Sequence, residues 1–248
     1  MSSKAVGIIG GMGPEATIDL MVKVIRTTPA KIDQDHIRMF VDNNPKVPCR
    51  IKAILGDGAN PGPVMAQMAE GLEKVGADFL VIPCNTAHYY IDYVKDAVQV
   101  DVLNMVEETV KVLKKDEMKK VALLATSALI NTNLYIKELT IAEIEVVLPQ
   151  KDYQQMVMEV TFAVKSGDFS KAESYVEKII SHVVDMGSES MVLGCTELPL
   201  VISREKYPFK FYDPTNILAK AIRDRGTVLL SRLPFAVDID SFEMVLFI

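Results

Sequence analysis

Short apolar segments alternate with longer amphipathic segments along most of this 248-residue chain. The short segments are rich in β-branched residues and lack the polar–apolar alternation of a half-exposed strand, which is typical of parallel strands covered on both faces. The longer segments, such as 61–76 and 168–187, keep their apolar residues on one helix face and end at a glycine. The pattern predicts strands at 5–10, 37–42, 78–83, 100–103, 120–125, 144–148, 190–194 and 210–213. Because strands and helices alternate, we expect an α/β fold of mostly parallel sheets flanked by helices.

The composition narrows the class of protein. Acidic residues outnumber basic ones by 33 to 27, and the net charge of −6 does not favour nucleic acid as a partner. No apolar run approaches the roughly 18–20 residues of a membrane span, and the run that follows residues 1–4 is too short for a signal peptide. We therefore expect a soluble, cytoplasmic protein with no membrane partner. Three cysteines are too few for a disulfide framework, so we expect free thiols.

Two segments about half the chain apart resemble each other. Segment 78–88 contains a predicted strand, then Cys84, a polar pair and the start of a new helix, and segment 190–199 repeats this order around Cys195. Two similar α/β halves would explain the repeat, although composition alone leaves the number of domains open. Each half would place a cysteine at the carboxyl end of a strand, where open α/β sheets bind their ligands.

The predicted surroundings of the two thiols favour chemistry. A helix that begins beside each thiol offers free backbone N–H groups and a partial positive charge, which lowers a thiol pKa and favours the thiolate. Asn85, Thr86 and Thr196 add hydrogen-bond donors next to Cys84 and Cys195. The alternative is that both cysteines are small buried apolar residues, the usual state of a free cysteine. Two matched strand-end positions favour the functional interpretation.

Cofactor and metal sites receive little support. Segment 7–17 joins the first strand to a helix through several glycines and formally fits the dinucleotide pattern G-x-G-x-x-[GA]. The acidic residue at the next strand end, Asp42, lies farther from Gly11 than the roughly 20 residues expected of a ribose-binding acid. The glycines favour either a tight turn or a close backbone approach to a small anion. There is no C-x-x-C motif, and the three histidines lack the spacing of metal ligands: His36, His88 and His182.

Two basic residues are candidates for binding an anionic substrate. Arg50 ends an irregular polar segment, 41–50, that two prolines stiffen, and its guanidinium can present a fork to a carboxylate. Lys165 lies near the end of a predicted helix. The alternative for Arg50 is an ordinary surface arginine on a loop. The alternative for Lys165 is an ordinary lysine at a helix C-terminus, where lysine is common.

Taken together, four motifs resemble the aspartate/glutamate racemase family, and most of all its cofactor-independent aspartate racemases. They are Gly-Ile-Ile-Gly-Gly-Met-Gly-Pro-Glu-Ala-Thr at 7–17, Asn-Asn-Pro-x-x-Pro-x-Arg at 43–50, Pro-Cys-Asn-Thr-Ala-His at 83–88 and Gly-Cys-Thr-Glu-Leu-Pro at 194–199. The resemblance covers residues 4 to about 230. Glutamate racemases typically carry Gly-Cys-Thr-His, whereas this chain has Glu197 at the last position.

The resemblance implies a racemase that works without a cofactor. It implies two similar α/β domains related by pseudo-two-fold symmetry, with Cys84 and Cys195 facing each other across an interdomain cleft, and a homodimer. We expect the first domain at 1–104, with 212–248 returning to it, and the second at 105–211. One thiolate would remove the Cα proton of aspartate, or of glutamate, while the opposite thiol donates a proton.

The resemblance also assigns binding roles. Hydrogen-bond partners of the α-carboxylate and ammonium groups of the amino acid would come from Asn85, Thr86 and Thr196. Arg50 and Lys165 would hold the side-chain carboxylate. Further residues of the site are Met12, which would line the pocket, and His88 and Glu197, which would tune the thiols or serve only in capping and packing.

Three features depart from the family pattern. The family often has Ala-Thr-x-Gly-Thr after the fifth strand. Segment 125–129 keeps Thr126 as a donor, with Ser127 as a second candidate, and has Ala128 and Leu129 in place of the Gly and second Thr. Cys49 stands where related sequences often have Asp, and we interpret it as structural and not as a third base. The apolar tail 234–248 is unusual, and two interpretations stay open: an extra strand or a subunit contact.

Alternative functions remain at this stage. A maleate isomerase or a hydantoin racemase would use the same fold and both thiols on another substrate. The change at Ala128 and Leu129 leaves room for a catalytically weak amino-acid-binding relative. A nucleotide-binding oxidoreductase would use the glycine-rich turn.

Overall fold

The computed structural model describes residues 4–202 and 206–227. Each of the eight predicted strands is present, most of them shortened by one to three residues at their ends. The strands are β1 (Val6–Gly10), β2 (Met39–Asn43), β3 (Phe79–Val81), β4 (Asp101–Leu103), β5 (Lys120–Leu124), β6 (Glu145–Val147), β7 (Ser190–Leu193) and β8 (Lys210–Tyr212).

The strands form two four-stranded sheets in which every pairing is parallel. The first sheet has the order β2-β1-β3-β4, and the second has the equivalent order β6-β5-β7-β8. In the first sheet Ile8 pairs with Val81, and in the second Leu124 pairs with Leu193. The predicted α/β fold of mostly parallel sheets is confirmed, and β3 and β7, which precede the two cysteines, occupy equivalent central positions.

Helices cover both sheets. They are α1 (Pro14–Thr27), α2 (Arg50–Leu55), α3 (Gly62–Lys74), α4 (Ile91–Lys95), α5 (Met105–Lys115), α6 (Ser127–Asn131), α7 (Leu134–Ile141), α8 (Lys151–Lys165), α9 (Phe169–Asp185) and α10 (Pro214–Gly226). Helix α1 begins at Pro14 with Glu15 in its first turn, as the sequence predicts. Helix α3 ends before Gly76, whose φ of 98° is the left-handed conformation that favours glycine.

Apolar residues fill both faces of each sheet. In the first sheet, Ile9 and Leu80 pack with Met65 of α3, while Ile8 belongs to the core on the other face. In the second sheet, the two faces are covered by α8 and α9 on one side and by α5 and α7 on the other. The central strands β1, β3, β5 and β7 are therefore buried without alternation, for the reason that the sequence suggested, whereas the edge strands are partly exposed.

Helix α10 follows the last strand of the second sheet but packs against the first. Its residues Leu218 and Ile222 join the core formed by Leu20 and Val24 of α1. The proposed domain bounds and the pseudo-two-fold relation stay predictions. The apolar tail 234–248 lies outside the described residues. Within the described ranges, no helix is both long and apolar enough to cross a membrane.

Candidate active site

A cavity of about 350 Å³ is lined by residues that follow strands of both sheets. Cys84 follows β3, Cys195 follows β7, and both thiols belong to the lining. The other predicted site residues in the lining are Met12, Arg50, Asn85, Thr86, Thr126, Lys165, Thr196 and Glu197, whereas His88 lies outside it. The structure thus brings together residues that the sequence places in six separate segments.

In the glycine-rich turn, the backbone of Gly11 packs directly against the backbone of Asn44, in the segment after β2. Gly11 has a φ of 86°, and a Cβ at this position would lie 2.2 Å from the carbonyl carbon of Asn44. The Gly11 N–H donates to Thr17 Oγ1 at 2.9 Å, which ties the turn to α1. Only glycine fits here, and the close approach places Met12 at the cavity.

Arg50 joins the same turn to the loop after β2. Its Nη1 donates to the carbonyl oxygens of Val47 and Pro48 at 3.2 and 3.0 Å, and its Nη2 donates to the carbonyl oxygen of Met12 at 3.1 Å. The Nε of Arg50 is buried and has no hydrogen-bond partner among the described residues. The predicted irregular segment 41–50 begins inside β2 and ends at Arg50, which is the first residue of α2. Its neighbour Cys49 is exposed and lines the cavity, which the sequence analysis did not predict.

His88 binds the backbone on the Cys84 side of the site. Its Nε2 accepts from the Met105 N–H at 3.0 Å, so Nδ1 carries the proton and donates to the Cys84 carbonyl oxygen at 2.9 Å. Burial lowers the pKa of His88 to about 4, so the ring is neutral at pH 7. Both ring nitrogens are used on backbone atoms, which favours the packing alternative over direct tuning of the thiol.

Two side-chain contacts connect the segments on either side of the cavity. Asn85 Oδ1 accepts from the Tyr135 hydroxyl at 2.7 Å, while the buried Asn85 Nδ2 has no partner within the described part of the chain. Thr86 and Thr126 approach each other at 3.2 Å between their hydroxyl oxygens. Thr126 also accepts from the Leu129 N–H at 3.2 Å and caps α6, so the departure from the family pattern leaves this cap in place.

A chain of polar contacts surrounds Cys195. Its Sγ donates to Glu197 Oε2 at 2.9 Å and lies 3.3 Å from the hydroxyl of Thr161. Thr196 donates to the same Glu197 oxygen at 3.3 Å. The other oxygen, Oε1, forms an ion pair with Lys165 Nζ. The thiol of Cys195 therefore contacts the carboxylate of Glu197, which in turn contacts the ammonium group of Lys165.

The expected lowering of the thiol pKa is wrong for Cys195. Burial raises the pKa of Cys195 well above its ordinary value, and the negative charge of Glu197 raises it further, while Lys165 offsets part of this effect. The helix after Cys195 is a single 3₁₀ turn, Leu198–Leu200, too short to outweigh burial. At Lys165, burial lowers the pKa, but the charge and hydrogen bond of Glu197 together with the nearby thiols raise it by more, so the ammonium stays charged.

Cys84 is likewise followed by a 3₁₀ helix, Asn85–Tyr90, and not by the expected α-helix. Sequence reasoning also missed Thr161 and Tyr135, because each contacts its partner across at least 34 residues of chain and no motif marks such a contact. Among residues 4–202 and 206–227, no three His, Cys, Asp or Glu side chains are grouped so as to hold a metal ion.

Comparison with known proteins gives the family. The sequence model of the family described as Asp/Glu/Hydantoin racemase matches residues 9–222. The chain belongs to this family. The racemase class predicted from the sequence is thereby confirmed, and the family match does not support the oxidoreductase alternative.

Individual relatives of this racemase cover most of the chain. The broad specificity amino-acid racemase RacX of Bacillus subtilis strain 168 is 29% identical over 220 residues, which cover 87% of this chain and 95% of the relative. The structure of Picrophilus torridus aspartate racemase has a TM-score of 0.82 at 35% identity and covers 88% of this chain and 92% of its own. Francisella tularensis glutamate racemase, in complex with D-glutamate, shares the fold, with a TM-score of 0.63 at 21% identity over 90% of this chain and 80% of its own.

Proposed function

We propose that this racemase interconverts L- and D-aspartate, with Cys84 and Cys195 as the two bases. The observation that carries the proposal is that two thiols at the ends of equivalent strands line a single cavity. The similarity to an aspartate racemase at 35% identity supports aspartate as the substrate. Inversion at Cα needs a base on one face and an acid on the other, and two thiols on opposite sides of a substrate supply both.

The proton balance is simple. One cysteine begins as the thiolate and takes the Cα proton, and the electron pair left behind is delocalised into the α-carboxylate. The other cysteine begins as the thiol and gives its proton to the opposite face of Cα. The two roles exchange for the other enantiomer. Because burial and Glu197 raise its pKa, Cys195 rests as the thiol, which is the state of the proton donor.

Stabilising the negative charge is the hard part of this reaction. The Cα–H bond is a weak acid, and charge builds up on the α-carboxylate as the proton leaves. Preorganised donors in a partly dry cavity stabilise such charge strongly. Asn85 Nδ2 is a buried donor without a partner among the described residues, and Thr86 and Thr196 line the same cavity, so these residues are our candidates.

The basic residues of the lining favour a second carboxylate on the substrate. Lys165 is about one-third exposed at its side chain, and Arg50 has an unpaired buried Nε in the described structure. Both residues are our candidates for holding the side-chain carboxylate of aspartate. Glutamate is the second candidate substrate. A broader range is the third, because Met12, Val47 and Phe162 give the cavity an apolar part and the Bacillus relative is a broad specificity racemase.

The test is the initial rate of conversion of L-aspartate to D-aspartate, measured by chiral chromatography. We expect Cys84→Ser and Cys195→Ser each to lower the rate by about 100–10,000-fold, because each removes a group that transfers a proton. Cys49→Ser is the matched control with the third thiol removed, and we expect it to keep activity.

Three results would contradict the proposal. Full activity of either Cys84→Ser or Cys195→Ser would exclude the two-base mechanism. Absence of conversion with aspartate, glutamate and other amino acids, despite binding, would favour an amino-acid-binding relative. Activity on maleate or a hydantoin alone would move the function to another substrate.

A further inference from the structure

Tyr135 is a buried residue that the proposed mechanism does not yet use. It lies on α7, its side chain is 1% exposed, and it belongs to the core that includes Leu113 and Leu139. Its hydroxyl oxygen is 2.7 Å from Asn85 Oδ1, across a separation of 50 residues. Burial raises the pKa of Tyr135, so its hydroxyl keeps the proton and acts as a donor. A ring held by packing thus meets the residue that follows Cys84.

The distances decide which end of the Asn85 amide faces Tyr135. The value of 2.7 Å is typical of an O–H···O bond, whereas an amide N–H bond is usually 2.9–3.0 Å long. The other neighbour of the hydroxyl, Thr109 Oγ1, is 3.4 Å away and uses its own proton on the Met105 carbonyl oxygen at 2.7 Å. The single proton of Tyr135 therefore goes to Asn85 Oδ1. A flipped amide would leave this proton only the long contact to Thr109.

The orientation of the amide fixes what Asn85 presents to the cavity. With Oδ1 occupied, the amide nitrogen is the group left over, and it is buried without a partner among the described residues. Asn85 lines the cavity beside Cys84. A buried donor without a partner is unfavourable, and an anionic oxygen that reaches it relieves this and forms a strong hydrogen bond.

We propose that Tyr135 is a positioning residue, which fixes the Asn85 amide so that its Nδ2 donates to the α-carboxylate of the substrate. The inference rests on the proposed function, because it names the group that Asn85 meets. A donor that is already aimed stabilises the developing charge without reorganisation during the reaction. The hydroxyl of Tyr135 acts through Asn85 and does not itself contact the substrate.

The experiment is a double-mutant cycle of Tyr135→Phe and Asn85→Ala. Tyr135→Phe keeps the packed ring and removes only the hydroxyl. We expect it to lower kcat/KM for aspartate about tenfold, and Asn85→Ala to lower it about 100-fold. In the Asn85→Ala background, Tyr135→Phe should change kcat/KM by less than about twofold, because the residue through which it acts is gone.

A matched control and a second readout separate positioning from packing. Tyr212→Phe removes a hydroxyl that donates to Asp116 at 3.0 Å, away from the cavity, and should leave kcat/KM unchanged. The Kd of succinate, which has both carboxylates of aspartate but cannot racemise, should rise in Tyr135→Phe and in Asn85→Ala without adding in the double variant. Denaturant unfolding of each variant reports any loss of stability.

The outcomes are distinct. The inference would be overturned if the wild type racemises aspartate and Tyr135→Phe leaves kcat/KM unchanged. It would also be overturned if Tyr135→Phe lowers kcat/KM equally with Asn85 present and with Asn85→Ala. In both cases the proposed function would stand. A wild-type protein that racemises no amino acid would overturn the proposed function and this inference together. Non-additive losses in kcat/KM and in succinate binding would support the inference.

Discussion

At the residue scale, the protonation of Cys195 depends on its burial and on its charged partners more than on its place at a strand end. The sequence located both cysteines, because the motif around each is local and repeated. It predicted a lowered thiol pKa, which is the wrong direction for Cys195. The net direction follows from burial, from the carboxylate of Glu197 at 2.9 Å, and from the ammonium of Lys165 beyond it.

The two charged partners should shift the titration of Cys195 in opposite directions. Glu197→Gln removes a negative charge that disfavours the thiolate, so the pKa of Cys195 should fall. Lys165→Met removes a positive charge that favours the thiolate, so the pKa should rise. The measurement is the pH dependence of iodoacetamide alkylation in a background of Cys49→Ser and Cys84→Ser, where Cys195 is the remaining thiol.

Lys171→Met is the control for that titration, because Lys171 pairs with Glu159 on the surface. It should leave the midpoint unchanged. A midpoint that rises in Glu197→Gln would contradict the assignment of the Glu197 charge as a cause of the raised pKa.

At the element scale, the glycine-rich turn and the loop after β2 form one unit. The sequence predicted the turn, the strand before it and the helix that begins at Pro14. It left open whether the glycines serve the turn or a ligand. The close approach of Gly11 to the Asn44 backbone accounts for this glycine by packing, and the contact depends on how two distant segments meet. A single sequence does not report such a contact.

Three glycine-to-alanine variants separate the effect of a left-handed φ on stability from the effect of a clash with Asn44. Gly11→Ala combines a left-handed φ with a backbone clash at 2.2 Å and should lower the free energy of unfolding by more than about 2 kcal/mol. Gly76→Ala has a similar φ but open space, and should cost about 1–2 kcal/mol. Gly71→Ala, inside α3 with open space, should stabilise by about 0.5–1 kcal/mol.

Denaturant unfolding measures all three variants. Gly11→Ala should also lose racemase activity, because the turn carries Met12 into the cavity. Equal stabilities of the Gly11→Ala and Gly76→Ala variants would show that the clash with Asn44 contributes nothing.

At the scale of the whole molecule, two sheets with the same strand order place one cysteine each at a shared cavity. The repeated motifs predicted a cysteine at a strand end in each of two similar halves, because such motifs are local signals. The family resemblance implied the shared cleft, and the strand order was not predicted. The sequence did not predict the side-chain contacts between segments of the two halves. Tyr135 reaches Asn85 and Thr86 reaches Thr126 across 50 and 40 residues, and neither pair leaves a periodic pattern.

The most direct test of the two-base proposal is racemisation of L-aspartate in D₂O, with the deuterium content of both enantiomers measured by chiral chromatography and mass spectrometry at early times. The donating thiol has exchanged with solvent, so we predict deuterium at Cα of the D-aspartate product. The thiolate that removes the proton faces only the other side, so the recovered L-aspartate should keep its protium. Deuterium appearing equally fast in the recovered L-aspartate, or a product that keeps its protium, would contradict the assignment of Cys84 and Cys195 to opposite faces.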